Sequence, residues 1–288
     1  MKKKLLAIFF ILLSVAVGSL NDVFSRYALE SFSPEQVTLL RYFFATLTIL
    51  PFMVKKREYF KTKHLFVHFV RGFIYYIAAT LWVMGLATTP LSSAVVISFS
   101  SPFFIMLLCY FFLGERVSLR CVCTSIISFL AIVYTIDLHS LNFGSASSLL
   151  LFSCVFFALS DFLNKKFVNS EPDMTMIFYF NLFAFLVSIP FVITTFVMPS
   201  MRDLFFTFCL GASANCLLYF LLRAFMLADA SFLSPFRFFE FIFSSLFAYI
   251  FFSEIPANKC YIAMIVITCC NFFLFMEQKK DDNIVGKK

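Results

Sequence analysis

Ten runs of about 20 predominantly apolar residues follow one another along the 288-residue chain, separated by short polar connections, and that spacing leaves few folds open. A hydrocarbon layer about 30 Å thick is crossed by about 20 residues of helix, whereas a barrel strand needs about 10 residues in strict alternation. The runs here are long and unalternated, at 5–28, 35–54, 65–87, 90–112, 118–136, 146–168, 174–198, 203–226, 230–252 and 257–276. The chain therefore reads as an all-α integral membrane protein of ten transmembrane helices, with residues 277–288 as a polar cytoplasmic tail. Composition agrees: 61% of residues are hydrophobic, 14% are charged and 46 are Phe, more apolar surface than a water-soluble domain could cover. The opening Met1-Lys2-Lys3-Lys4 and its apolar run have the look of a signal peptide, but the segment has an internal counterpart and reads as an uncleaved first helix.

Orientation follows from Lys and Arg. With the N-terminus inside, most of the 23 basic residues fall at the cytoplasmic ends of the spans, among them Lys2 to Lys4, Lys55, Lys56, Arg116, Lys165 and Lys166. Only Arg26, Arg41, Arg202 and Lys259 fall at the outer ends, and Arg71 and Arg237 within spans, so both termini are expected in the cytoplasm. The net charge of +7 belongs to membrane edges and calls for no nucleic acid.

One offset joins four scarce residue types. Asp22 and Asp161, Pro51 and Pro190, Gly72 and Gly211, and Glu115 and Glu254 are each 139 positions apart, and "NDVFSRYA" lies over "SDFLNKKF". The chain reads as a tandem duplication, 1–138 and 139–276, of five helices each. Because five is odd, the second copy enters the membrane from the opposite side. The expected architecture is two inverted five-helix repeats with a substrate site near the midplane between them.

The "LGE" and "FSE" endings of the fourth and ninth spans, in this 5 + 5 layout, resemble the drug/metabolite transporter superfamily of EamA type over essentially the full length. "NDVFSRYA", "RYFFA", "FVHFVRG", "DFLNKKFV" and "LADASFLSPFRFFE" resemble the S-adenosylmethionine transporters of obligate intracellular bacteria. That resemblance implies a monomeric carrier in a bacterial inner membrane, importing S-adenosylmethionine in exchange for S-adenosylhomocysteine by alternating access. An EamA-type exporter of amino acids or other metabolites, driven by proton antiport, is the second reading.

Polar groups inside spans survive when they are paired, hydrated or turned to a cavity. Asn21 and Asp22 are expected at the inter-repeat cavity, with Arg26 four residues on either neutralising Asp22 or closing a gate. Asp161 and Lys165 repeat both signs at the same spacing. In "SPFRFFE", Pro235 interrupts the ninth helix beside Arg237 and Glu240, which either bind ligand or neutralise each other. For a ligand of the kind the resemblance implies, Arg237 suits the carboxylate and Glu240 the ammonium or sulfonium, while Phe238 or Phe239 offers a ring. Tyr75 and Trp82 share a helix face and suit adenine stacking or plain packing, and Asn181 and Asn215 suit ligand contact or interhelical hydrogen bonds. Arg71, near the start of the third span, is expected to snorkel to headgroups.

No cofactor is implied. The spacing of His64, His68 and His139 gives no zinc site, the nine Cys include no C-x-x-C, and no Walker motif or G-x-G-x-x-G is present. With no nucleophile or metal cluster at one depth, the chain reads as a carrier and not an enzyme.

Overall fold

A computed structural model describes residues 2–86, 96–136 and 145–285, apart from the side chains of residues 83, 145, 146 and 278–285. Its helices are α1 (Lys2–Leu29), α2 (Pro34–Lys55), α3 (Leu65–Leu86), α4 (Ser101–Leu113), α5 (Leu119–Thr135), α6 (Ser145–Phe167), α7 (Asp173–Val192), α8 (Met201–Leu227), α9 (Ala230–Phe252) and α10 (Asn258–Val285). A 3-10 turn at Arg57–Phe60 joins α2 to α3. Among the described residues there is no strand, nine helical segments are long and apolar enough to cross a bilayer, and the 17-residue α5 is a shorter tenth.

Local chemistry sets the ends of these helices. Ser33 caps α2, accepting from the Gln36 amide ahead of Pro34, and Ser200 with Asp203 forms a reciprocal capping box on α8. Gly114 ends α4 and Ser253 ends α9, both in the left-handed conformation at φ 66° and 56°. Two boundaries differ from the sequence reading. α7 stops at Val192 rather than 198, just after Pro190 has removed a backbone donor. α10 continues to Val285 rather than ending at 276, so the polar residues 277–285 are helical; nothing between Glu277 and Val285 breaks the turn, the next Gly being Gly286. The first part of the expected fourth span, through residue 95, lies outside the described residues.

Helix packing repeats with the sequence offset. α1 packs along α8 and α3 along α6, α2 crosses both α7 and α8, α3 crosses α7, and α5 lies against α10. Single contacts follow. A Cβ on Gly72 would sit 3.0 Å from the Ala184 nitrogen and the Phe183 Cβ, while one on Gly211 would sit 2.6 Å from the Ala45 nitrogen and 2.7 Å from the Phe44 Cβ. Ser14 donates to the Leu217 carbonyl at 2.9 Å, and Ser153 to the Ala78 carbonyl at 2.7 Å. Each member of these pairs stands 139 positions from its counterpart.

The main apolar cluster fills the end of the bundle where the chain begins. There Ile11, Met53, Cys109, Phe162, Met176 and Phe225 pack together. We call it the basic end. The opposite end holds a smaller cluster of Ala28, Phe32, Val37, Leu40 and Leu210. Burial along α9 follows the same division: most of Ala230–Phe238 is buried, and Phe239–Phe252 carries no buried residue.

The glycine contacts rank two substitutions. Gly211→Ala forces a methyl against the backbone of α2 and should cost about 1–3 kcal/mol. Gly114→Ala meets nothing within 4 Å and should cost only the left-handed strain, about 1–2 kcal/mol. Thermal unfolding of the detergent-purified protein should show the larger drop for Gly211→Ala.

Candidate functional site

Ionisable side chains from α1, α2, α6 and α9 converge inside the bundle, each six or more residues from its helix's ends. α9 is broken there: Ser234–Phe238 runs as a 3-10 turn around Pro235, which has no amide hydrogen to donate, and the Ala230 carbonyl one turn earlier accepts from both the Ser234 amide and, at 2.8 Å, Ser234 Oγ. The break brings Arg237 against α6, where its Nη1 lies 2.6 Å from Asp161 Oδ2. Arg237 and Asp161 are 23% and 13% exposed, so the pair is shielded without being sealed. Glu240 opens the α-helical half of α9 and is exposed. Asp22 is also exposed although it lies well inside α1, and it stands within electrostatic range of Glu240 and of Arg41 on α2. An exposed carboxylate at that depth faces an opening rather than hydrocarbon.

Arg41 is the candidate site residue that the sequence reading missed. Counting basic residues placed it at an outer span end, yet it lies seven positions past Pro34 inside α2. Its guanidinium rests 5.8 Å from the Tyr42 ring centroid and beside Tyr75, and its Nε is buried without a hydrogen-bond partner. Tyr75, partly exposed, meets Tyr42, Phe157 and Phe180 edge-on at 6.1, 5.1 and 5.2 Å. The signal was present in "RYFFA": an Arg so far inside a span needs a partner or a cavity.

Several expected partnerships are replaced. Arg26 pairs with Glu254 at 2.7 Å, across the Phe252 ring at 4.0 Å, rather than with Asp22. Lys165 lies 3.8 Å from Glu115 rather than pairing with Asp161, and Arg237 pairs with Asp161 rather than with Glu240. These contacts join different helices, which spacing along one helix could not reveal. Arg71 does not snorkel. It is fully buried, giving hydrogen bonds to Asn164 Oδ1 and, at 3.3 Å, the Met176 carbonyl, with His68 Nδ1 at 3.1 Å from its Nη1.

The three amides are committed to neighbouring helices. Asn21 Nδ2 donates to the Leu210 carbonyl and Ser213 Oγ, both at 2.7 Å. Asn181 Nδ2 donates to the Ile177 carbonyl and to Asn215 Oδ1, and Asn215 Nδ2 to the Ala45 carbonyl and Thr48 Oγ1. Each Nδ2 has two hydrogens and both are used, so these residues fasten α1, α2, α7 and α8. Phe238 is fully buried, stacked 5.7 Å from Phe99 and packed with Ile132 and Ile267, which removes it as a ligand ring. Trp82 is half-buried against Ile97, Leu150 and Cys154. Among the described residues no three His, Cys, Asp or Glu converge on a possible metal position.

Asn215→Leu should therefore lower thermal stability by on the order of 1 kcal/mol and leave uptake KM unchanged. Arg41→Met should do the reverse, raising KM with little change in melting. Thermal unfolding beside uptake kinetics separates the two roles.

The profile of the EamA-like transporter family matches residues 5–136. The chain is 32% identical to an S-adenosylmethionine uptake transporter of Rickettsia prowazekii, over 97% of this chain and 96% of that one. It is 33% identical to the S-adenosylmethionine uptake transporter of Rickettsia conorii, over 98% and 97%. A riboflavin transporter of Rhizobium johnstonii is 24% identical over 95% and 92%. One solved crystal structure superposes with a TM-score of 0.78 at 16% identity, over 94% of this chain and 95% of that one, a likeness of fold alone. With its helices, its charges inside the bundle and these relatives in agreement, the chain belongs to the EamA-like transporter family of multi-pass membrane proteins.

Proposed function

We propose that this chain imports S-adenosylmethionine across a bacterial inner membrane in exchange for S-adenosylhomocysteine, with both termini in the cytoplasm and alternating access to a cavity between two inverted five-helix repeats. The observation that carries the reading is the mixed-charge set inside the bundle: exposed Asp22 and Glu240 beside Arg41, whose Nε is unpartnered, and the Arg237–Asp161 pair. S-adenosylmethionine carries a carboxylate, an ammonium and a sulfonium, and such a ligand needs acids and bases presented together where water is scarce. The guanidinium groups suit its carboxylate and the carboxylates its two cations. Tyr75, partly exposed beside Arg41, offers an aromatic face for the adenine. Names of relatives at 32–33% identity over nearly the full length support the substrate.

Packing supports the repeats. The α1–α8 and α3–α6 contacts, the two glycine contacts, the two serine contacts and the Arg26–Glu254 and Lys165–Glu115 pairs each have a counterpart at an offset of 139 residues. The concentration of Lys and Arg at the basic end supports a cytoplasmic location for that end. A reporter fused after residue 140 should then read as non-cytoplasmic; a cytoplasmic signal there overturns the topology.

A second reading has its own observation. Asp22 and Glu240 are neighbouring exposed carboxylates able to carry protons, and a pseudopaline exporter of Pseudomonas aeruginosa is 26% identical over 65% of this chain. Reconstituted vesicles discriminate the two. Loading with S-adenosylhomocysteine should accelerate entry of labelled S-adenosylmethionine, because the loaded carrier returns without an empty step. The imported ligand has net charge +1 and the exported one 0, so an inside-negative potential of 100 mV is worth about 2.3 kcal/mol, or about 50-fold in accumulation. Entry that ignores internal ligand and follows the proton gradient instead establishes the exporter reading.

A further inference from the structure

A line of charges runs from the cavity to the basic end. Arg237 on α9 holds Asp161 on α6 at 2.6 Å. Four residues on, one turn nearer the basic end on the same face of α6, stands Lys165. Its Nζ donates to the carbonyls of Phe225 and Ala228, both at 2.7 Å, at the end of α8, and lies 3.8 Å from Glu115 just past α4. Glu115 is itself buried, accepting from the Ala230 and Ser231 amides and the Ser231 hydroxyl at the start of α9. Lys165 thus gives α6 a polar tie to α8 and to Glu115, beside the apolar packing of Phe162 on Phe112 of α4, and the side-chain exposures of Lys165 and Glu115 are only 14% and 7%. The corresponding pair at the other end, Arg26 and Glu254, is 56% and 52% exposed.

We infer that Asp161 is the positioning residue that reports substrate to this closure: a substrate carboxylate that takes over Arg237 releases Asp161, which then draws Lys165 away from Glu115 and parts α6 from α4 and α8 at the basic end. The inference rests on the exchange reading above and adds to it the means by which occupancy unlocks one face. A guanidinium satisfied by a new carboxylate leaves Asp161 as a charge without a partner in a low-dielectric interior, an arrangement the protein relieves with the nearest cation on the same helix face. Lys165 is that cation. It is held by two neutral carbonyls and by a carboxylate at the long limit of an ion pair, so a freed Asp161 competes well for it. Glu115 keeps its hold on the start of α9, so α4 and α9 stay joined while α6 moves. The empty carrier stays shut because Arg237 occupies Asp161, which makes exchange obligatory. The other half repeats three of the four residues: Asp22, Arg26 and Glu254 match Asp161, Lys165 and Glu115 at the same offset, while Ser98 stands at the position that matches Arg237.

Cys109 supplies a reporter. It is fully buried in α4 among Glu115, Lys165 and Asp161, so opening of the basic end uncovers it. In the full-length protein with the other eight Cys replaced, S-adenosylmethionine should raise the rate of Cys109 modification by a soluble maleimide by about tenfold, within the usual range of coupling between two sites. Decarboxylated S-adenosylmethionine should bind and leave the rate unchanged. Asp161→Asn should bind S-adenosylmethionine at least as tightly as the parent, since the competitor for Arg237 is gone, yet show neither the faster labelling nor exchange. Lys165→Gln should label fast with or without ligand. Exchange by Asp161→Asn at the parental rate, equal unlocking by the decarboxylated ligand, or a protected Cys109 in Lys165→Gln overturns the relay while leaving the substrate standing. No binding of S-adenosylmethionine to the parent protein removes the substrate and the relay together.

Discussion

An uncompensated charge in hydrocarbon costs from about 2.5 kcal/mol to more than 10, and the architecture of this protein follows from where its charges are allowed to be. Asp22, Arg41, Asp161, Arg237 and Glu240 lie on four helices, each six or more residues inside its helix's ends. None of them belongs against lipid, so α1, α2, α6 and α9 must turn these faces inward and leave a polar space between them. The same rule acts on Arg71, which gives hydrogen bonds to Asn164 on α6 and to the Met176 carbonyl on α7 and so pins α3 to both at the basic end. Apolar packing then needs only to be permissive. Gly72 and Gly211 bring helices to backbone contact, and the amide ladder of Asn181 and Asn215 fixes their register.

The contacts that repeat at an offset of 139 residues place related devices at opposite ends of the bundle. Their present states differ. Glu115 is buried and Lys165 mostly so, beside the main apolar cluster, and Arg26 and Glu254 stand in the open beside the loosely packed half of α9. On the exchange reading proposed above, two like halves with unlike ends need little new structure to alternate, because each half already contains the arrangement the other must adopt.

Much of the fold was legible in the sequence, because span length and apolarity are local properties and the offset of 139 is written in scarce residues. Helix ends were read to within a few positions except where a helix ran on in polar sequence, as α10 does, or stopped early, as α7 does. The candidate site's charges were legible in the sequence, and their contacts were not. Asp22, Asp161, Arg237 and Glu240 stood out as charges inside spans, but their partners come from other helices, which periodicity cannot place. Arg41 escaped because counting charges near span ends treats a residue seven positions inside a helix as an edge residue. The amides and Phe238 drew attention for the right physical reason, a polar or π-bearing group in an apolar span, and were satisfied by the protein itself.

The central claim is that the charges inside α1, α2, α6 and α9 surround the transported ligand. Photolabelling the membrane-embedded protein with an azido-adenine derivative of S-adenosylmethionine, followed by peptide mapping, tests it most directly. Labels on the stretches around Asp22, Arg41, Tyr75 and Glu240, abolished by unlabelled ligand, are the result this account requires. Competable labels confined to α5 and α10, or to the connections at either end, would contradict it.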